Sequence, residues 1–130
     1  MKPHIIKFSI KENLKQGNLL IAEIGKEIPF DIKRIFWTHN IPDNIIRGNH
    51  AHQKTQQVLI CLQGSILVNI TERDGSKESF HLKEPTKGLY LPPDSWHTMT
   101  YFENAIQLVF ASELYDEDDY IRDFNNYLNK

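Results

Sequence analysis

Short runs of apolar and aromatic residues recur along most of the chain, and turn-forming residues separate them. Runs of this kind are typical of β-strands, and their regular spacing predicts a β-sandwich or barrel. A hairpin signal at Asp74-Gly75 and a double proline at Pro92-Pro93 mark two of the turns. The predicted strands are Leu19–Ile24, Phe30–Thr38, Val58–Leu62, Ser65–Thr71, Ser79–Leu82, Leu89–Leu91, Thr98–Phe102 and Ala105–Ala111.

The carboxy-terminal segment has a different pattern. Its apolar residues stand at the spacing of one helical face, and Asp116 is a suitable N-cap before them. The acidic run 116–119 places negative charge in the first turn, where it complements the helix dipole. This segment therefore predicts one amphipathic α-helix, whose apolar stripe is Tyr120, Ile121, Phe124, Tyr127 and Leu128.

Length and charge narrow the class of protein. The 130 residues fit one domain, residues 1–130, and no apolar run is long enough to predict a membrane span. Fifteen basic against 17 acidic side chains leave a net charge of −2, so we expect neither nucleic-acid nor membrane binding. The single cysteine, Cys61, lies in an apolar run, and the first residues do not resemble a secretory signal. We therefore expect a cytoplasmic protein.

Three of the six histidines form a pattern. His50-Ala51-His52 places two imidazoles two residues apart, and on a strand such side chains project from the same face. An H-x-H pair taken alone also fits a solvent-exposed strand face. His97 follows the turn at Pro92-Pro93 and supplies the third ring.

The residues around this pair extend the pattern. Four residues separate His52 from Gln57, and six more separate Gln57 from Gly64. This spacing resembles the two motifs of the cupin fold, the double-stranded β-helix or jelly roll, which carry a Glu and a Gly where this chain has Gln57 and Asp94. The pattern indicates an all-β cupin with one short C-terminal α-helix.

The chemistry of the pattern depends on Gln57. Metal-binding cupins ligate Mn, Fe or Ni with their histidines and the Glu, whereas Gln57 offers only a neutral amide oxygen, so we expect no metal. A three-histidine site for zinc or iron, and with it a metal-dependent dioxygenase, is the alternative. Without a metal, imidazoles that face one cavity suit proton transfer, because histidine titrates closest to neutral pH.

Two arginines and an aromatic strand add candidate binding groups. Arg47 has the geometry for bidentate contact with a phosphate or a developing enolate oxygen, and a surface arginine at a strand end is the plain alternative. Arg34, on the predicted strand Phe30–Thr38, is a second candidate cation. Trp37 on that strand offers a stacking surface for a base or sugar, although aromatic residues in strands more often belong to a core.

Longer segments carry a more specific resemblance. They include the patterns R-G-x-H-A-H and Y-D-E-x-D-Y-I-R, and they are Phe30–Arg34, Arg47–His52, Gly88–His97 and Ala111–Asp123. From about Gly17 to Leu128 the chain resembles the dTDP-4-keto-6-deoxyhexose 3,4-ketoisomerases, also called WxcM-like sugar isomerases. The resemblance implies a cupin homodimer, without metal or other cofactor, that moves the keto group of a dTDP-linked 4-keto-6-deoxy sugar from C4 to C3 in deoxy-amino-sugar biosynthesis.

The resemblance also implies roles in the reaction. His50 is the expected proton acceptor, His52 shuttles the proton or orients the substrate, and His97 lines the same cavity. Arg47 is the preferred group to stabilise the enediolate.

Substrate binding is implied for a further set of residues. Either Arg34 or Arg47 is expected to meet the diphosphate, and Gln57 is expected to contact the substrate. Members of the family often carry tyrosines in the stretch aligned with residues 35–37, which has no hydroxyl here, so this protein either does without a phenol in proton transfer or uses Tyr90. Thymine stacking is expected from Trp37, Tyr90 and Trp96.

Two other functions are alternatives. A dTDP-sugar 3,5-epimerase is also a metal-free cupin that acts on the same 4-keto sugar, but the R-G-x-H-A-H context favours the ketoisomerase. A non-catalytic nucleotide-sugar-binding cupin would be stabilised by the ligand without changing it.

Overall fold

The structure is a computed structural model that describes residues 1–129. Within this range the chain forms ten strands, one 3₁₀ turn and one α-helix. The strands are β1 (His4–Lys7), β2 (Ser9–Lys11), β3 (Leu19–Ile21), β4 (Arg34–Thr38), β5 (Ile46–His52), β6 (Gln57–Thr71), β7 (Lys77–Leu82), β8 (Lys87–Leu91), β9 (Trp96–Ala111) and β10 (Tyr120–Ile121). The 3₁₀ turn is Glu117–Asp119 and the helix, α1, is Phe124–Asn129. No helix among the described residues is long and apolar enough to span a membrane.

Two long strands, β6 and β9, organise the fold. They pair antiparallel along almost their whole length, from Gln57 opposite Ala111 to Thr71 opposite Trp96. The larger sheet runs β1-β8-β6-β9-β5-β10, with β4 also paired to β9 and β7 also paired to β6, while β2 and β3 form a small sheet of their own. Strand β9 therefore borders β5 through its first half and β4 through its second half. This antiparallel architecture with a short C-terminal helix is the cupin fold that the sequence predicts.

The predicted strands merge at the centre of the fold. The sequence predicts two strands within β6, because Gln63-Gly64-Ser65 has the composition of a tight turn, and two within β9, where one predicted strand ends at Phe102 and the next begins at Ala105. Gly64 has a φ of 73°, and Glu103 and Asn104 also have positive φ. A Cβ on Gly64 would lie 2.7 Å from the carbonyl oxygens of Phe102 and Glu103, so only glycine permits the two backbones to approach here. The turn residues mark bulges at which both strands bend and continue.

The C-terminal prediction of one continuous helix is wrong. Asp116 does cap a helical turn, since its side chain accepts a hydrogen bond from the Asp118 N–H, but that turn is the 3₁₀ turn. Tyr120 and Ile121 then pair as strand β10 with His52 and Ala51 of β5. The edge of β5 satisfies the backbone groups of these two residues, and this competes with helix formation. Only the last part of the apolar stripe is helical, in α1.

The buried core forms one wall of a cavity. A cluster between β6, β8 and β9 contains Leu59, Met99, Tyr101 and Val109, and these four side chains also line a cavity between the strands. A second cluster surrounds Tyr90 on β8. The core thus fixes the backbone of β6 and β9 directly beneath the candidate site.

Candidate active site

A cavity of about 410 Å³ opens between the strands. Strands β4, β5, β6 and β9 form its walls, and the segment at β10 closes one side. Of the residues singled out from the sequence, the cavity is lined by Arg47, His50, His52, Gln57 and His97.

The three histidines come together in this cavity. His50 and His52 project from the same face of β5, as the H-x-H spacing predicts, and His50 lies opposite His97 of β9. The ring centroids are 4.9 Å apart for His50 and His52, 4.8 Å for His50 and His97, and 6.0 Å for His52 and His97. A substrate atom in the cavity can therefore approach all three rings.

The Nδ1 atom of each imidazole lies within hydrogen-bond distance of an oxygen atom. His50 Nδ1 lies 3.1 Å from the Gly48 carbonyl, and His97 Nδ1 lies 3.1 Å from the Ser95 carbonyl. His52 Nδ1 lies 3.2 Å from Oδ2 of Asp119. A backbone carbonyl only accepts, so His50 and His97 donate from Nδ1 and leave Nε2 as the unprotonated nitrogen of the neutral ring.

Burial keeps these rings neutral. Desolvation, followed by the neighbouring His52, lowers the pKa of His50 to about 4. Desolvation and then the charge of His97 lower the pKa of His52 to about 4, although Asp119 acts in the opposite direction. His97 has a pKa of about 3, again mainly through burial. At neutral pH all three rings are uncharged and able to accept a proton.

These three histidines also offer the kind of nitrogen donors that bind metal ions in proteins. Their ligand nitrogens all lie within 4.8 Å of one another. Two nitrogens on one zinc ion lie no more than about 4.2 Å apart, twice the usual Zn–N distance, so a pair at the 4.8 Å limit would have to shift to share an ion. Gln57 adds no anionic ligand, because its side chain is a neutral amide. The three imidazoles are therefore suited to proton transfer, and they also offer the donor types of a metal site.

The two arginines take different places. Arg47 lines the cavity, and it also contacts the phenol of Tyr101. Arg34 points inward from β4 but stacks over the rings of Phe36, at 5.2 Å, and Tyr115, at 5.6 Å. Its charge reaches His52, whose pKa it lowers. Arg34 is therefore not among the residues that line the cavity.

The structure does not bring the three candidate stacking residues to the cavity. Alternation along β4 turns Phe36 inward and Trp37 outward, where Trp37 is 64% exposed. Tyr90 is buried in the second core cluster and donates its hydroxyl to Gln56 Oε1 at 2.7 Å. Trp96 packs in a cluster with Ala51, Ile121 and Tyr127. Their placement gives no support to thymine stacking by Trp37, Tyr90 or Trp96.

Other aromatic and polar groups occupy the cavity. The Tyr120 ring lies 4.9 Å from His50 and 4.4 Å from His52. Arg122 lies over Tyr120 at 4.3 Å and forms an ion pair with Glu117 at the cavity mouth. The cavity therefore contains phenols, but they are not Tyr90.

A second polar group forms the floor. The Tyr101 hydroxyl donates to Gln107 Oε1 at 2.5 Å, and the Gln107 amide contacts Met99 Sδ at 3.0 Å. The positions of Met99 and Tyr101 could have been found by counting alternate residues of β9 from His97. Tyr120 could not, because the segment reads as a helix.

Besides His52 Nε2, the cavity-lining Oε1 of Gln57 has no hydrogen-bond partner within the described chain. A buried polar atom without a partner costs about 1–3 kcal/mol. These atoms are therefore positioned for polar groups of a ligand.

Comparisons with known proteins identify a matching family and a related sugar isomerase. The FdtA model, described as WxcM-like, C-terminal, matches residues 1–130. A TDP-4-oxo-6-deoxy-alpha-D-glucose-3,4-oxoisomerase from Aneurinibacillus thermoaerophilus is 41% identical over 113 residues, which are 86% of this chain and 81% of that protein.

Solved structures agree with the sequence comparison. QdtA, a sugar 3,4-ketoisomerase from Thermoanaerobacterium thermosaccharolyticum in complex with TDP, matches with a TM-score of 0.93 and 40% identity over 98% of this chain and 93% of QdtA. A 3,4-ketoisomerase from Helicobacter canadensis matches with a TM-score of 0.92 and 36% identity over 99% of this chain and 96% of that chain. The chain therefore belongs to the FdtA (WxcM-like, C-terminal) family.

Proposed function

We propose that this protein is a dTDP-4-keto-6-deoxyglucose 3,4-ketoisomerase. The observation that carries the proposal is the convergence of three neutral imidazoles, His50, His52 and His97, on one cavity that Arg47 also lines. Relatives over nearly the whole chain are named as 3,4-ketoisomerases, which supports the same substrate class.

The reaction requires only proton transfer. The C3 proton of the 4-keto sugar is acidic, because it lies next to the C4 carbonyl. Removal of that proton and protonation of O4 give an enediol. Loss of the O3 proton and protonation of C4 then give the 3-keto sugar, so the number of protons is unchanged. Neutral histidines whose pKa lies below the working pH accept such protons and return them.

Roles follow from the positions of the side chains. We assign the removal of the C3 proton to His50, which lies between the other two rings. Arg47 stabilises the charge that develops on the enediolate oxygen, since a guanidinium donates to an anion through fixed N–H groups. Gln57 accepts a hydrogen bond from a sugar hydroxyl through its unpartnered Oε1. Arg47 is also preferred over Arg34 for the diphosphate, because Arg47 lines the cavity and Arg34 does not.

The biological setting is part of the proposal. We infer a homodimer, because Ile35 and Trp37 form an exposed apolar face on β4, at 51% and 64% exposure. A cytoplasmic location fits the single buried thiol of Cys61. A ketone at C3 is the group that transamination requires, which fits a role in deoxy-amino-sugar and polysaccharide biosynthesis. Light scattering on the purified protein tests the dimer, and a monomeric mass would contradict it.

Turnover of the named substrate tests the proposed activity. Purified protein is incubated with dTDP-4-keto-6-deoxyglucose, and ¹H NMR identifies the sugar product. A 3-keto sugar is expected from wild-type protein and from His81→Asn, which changes an exposed histidine on β7. A product that keeps the C4 ketone but is inverted at C3 or C5 would identify an epimerase, and binding without any change would identify a non-catalytic protein.

A further inference from the structure

A buried carboxylate supports His52 from outside the cavity. Asp119 lies at the end of the 3₁₀ turn, immediately before β10, and is 8% exposed. Its Oδ1 accepts the Lys54 backbone N–H at 2.6 Å. Its Oδ2 accepts a hydrogen bond from the Thr55 hydroxyl and faces His52 Nδ1 at 3.2 Å. One acidic side chain thus collects donors from the loop after β5 and from the imidazole itself.

These contacts determine where His52 carries its proton. The hydrogen bonds from Thr55 and Lys54 and the nearby His52 lower the pKa of Asp119 against the effect of its burial, so the carboxyl is ionised. An ionised carboxylate only accepts hydrogen bonds, so the proton between the two groups belongs to His52 Nδ1. The other nitrogen, Nε2, is then unprotonated, and it is buried without a hydrogen-bond partner among the described residues.

We propose that Asp119 is a positioning residue of the isomerase: it holds the His52 proton on Nδ1 and so presents the bare Nε2 of His52 to the substrate as a hydrogen-bond and proton acceptor. This inference rests on the proposed function for the identity of the substrate. It adds a residue that touches no substrate and that acts through His52.

The assignment gives His52 a distinct part in the reaction. An unpartnered acceptor inside the cavity is satisfied when a sugar hydroxyl donates to it. We assign that hydroxyl to O3 of the substrate. When the enediol collapses to the 3-keto product, the O3 proton passes to His52 Nε2 and then from the same nitrogen to C4, so His52 is neutral again and the charge and the proton count balance.

The substitution Asp119→Asn should move the His52 proton from Nδ1 to Nε2, rather than merely weaken its hold on Nδ1. The Lys54 N–H requires an oxygen, so the Asn side chain keeps its carbonyl oxygen there and turns its NH₂ group towards His52. An NH₂ group donates, and His52 Nδ1 must then accept. The His52 proton consequently moves to Nε2, and the cavity loses the acceptor.

The tautomer of His52 tests the proposal without any turnover. Protein labelled with ¹⁵N in its histidine side chains reports, in long-range ¹H–¹⁵N spectra at pH 7, which ring nitrogen carries the proton. We expect Nδ1–H in the wild type and Nε2–H in Asp119→Asn. A wild-type His52 that carries its proton on Nε2 would overturn the proposal, and this holds whether or not the protein turns over the proposed substrate.

Kinetics test whether the tautomer matters. We expect Asp119→Asn to lower kcat by about 100-fold, the size of a general acid–base contribution, and to change KM by a much smaller factor. Asp118→Asn, which alters an exposed neighbour in the same turn, is the matched control and keeps wild-type kcat. Asp119→Glu keeps a carboxylate, so it should recover part of the lost activity.

A comparison with Thr55→Val separates positioning from stability. Thr55→Val removes a hydrogen bond to the same oxygen of Asp119 but leaves the carboxylate facing His52. We expect this variant to lose thermal stability and to keep kcat within a few-fold of wild type. Equal losses of kcat in Thr55→Val and Asp119→Asn would assign Asp119 a merely structural role. A wild-type protein that is inactive on the substrate would refute the proposed function, and the tautomer measurement alone would then decide the role of Asp119.

Discussion

Acid should destabilise this protein through its buried histidines. Burial holds the pKa of His52 at about 4 and that of His97 at about 3, below the ordinary 6.5 of both groups. At pH values between the lowered pKa of the folded protein and the ordinary 6.5 of the unfolded chain, the unfolded chain binds protons that the folded chain does not. The free energy of unfolding therefore falls as the pH falls. The loss begins near pH 6.5 and levels off only below the folded pKa values.

The size of the loss follows from these shifts. Between pH 7 and pH 5 each of the two rings removes about 2 kcal/mol, because one pKa unit is worth about 1.4 kcal/mol. His52 and His97 together remove about 4 kcal/mol, and His50, whose pKa is also about 4, adds to the loss. This is a large part of the roughly 5–15 kcal/mol that keeps a small domain folded. The protein should consequently lose much of its stability by pH 5.

Urea unfolding at pH 7 and pH 5 measures this loss. In His97→Gln one titrating ring is gone, so the difference in unfolding free energy between the two pH values should shrink by about 2 kcal/mol. His81→Gln changes an exposed histidine and serves as the matched control, with the same pH dependence as wild type. If His97→Gln keeps the full pH dependence of the wild type, the reasoning is refuted.

Three substitutions test other parts of the account. His50→Asn should lower turnover at least about 100-fold while circular dichroism and the melting temperature stay close to wild type, because it removes the proposed base but little of the fold. Gln57→Met should raise the unfolding free energy by about 1 kcal/mol, since Oε1 is buried without a partner, and should raise KM in steady-state assays. Gly64→Ala should lower the free energy of unfolding, measured in urea, by about 3 kcal/mol or more, because its Cβ would lie 2.7 Å from backbone atoms. Gly75→Ala is the matched control: its Cβ would meet nothing within 4 Å, so only its positive φ should cost about 1–2 kcal/mol.

Each of these substitutions has an opposing outcome. Near-normal turnover by His50→Asn would remove His50 as the base. A less stable Gln57→Met would mean that the amide oxygen makes a favourable interaction in the free protein. Equal costs at Gly64 and Gly75 would show that β6 relieves the close contact by bending.

The sequence identified the parts of the site that depend on strand periodicity. The two-residue spacing of His50 and His52 was sufficient to place both rings in one space, because alternation along a strand is a local property. His97 and Gln57 entered through the spacing of a resembling motif and not through geometry. The structure brings all four side chains to the same cavity.

The sequence could not locate residues whose position depends on long-range pairing. Asp119 and Tyr120 lie in a segment whose apolar spacing is helical, and only the edge of β5 turns that segment into β10. Trp37 appeared suited to ligand stacking because it is aromatic, whereas its register opposite Leu108 of β9 turns it outward. Which face of a strand is the inner one is decided by its partner strands, so a single sequence leaves the choice open.

Deuterium incorporation into the sugar tests proton transfer by the three histidines directly. The protein is incubated in D₂O with dTDP-4-keto-6-deoxyglucose, after treatment with EDTA, and ¹H NMR follows the protons on C3, C4 and C5. Proton transfer by the histidine cavity predicts a 3-keto product that carries solvent deuterium at C4 and keeps its C5 proton. Exchange at C3 and C5 with the ketone still at C4, or no exchange at all, would contradict the account.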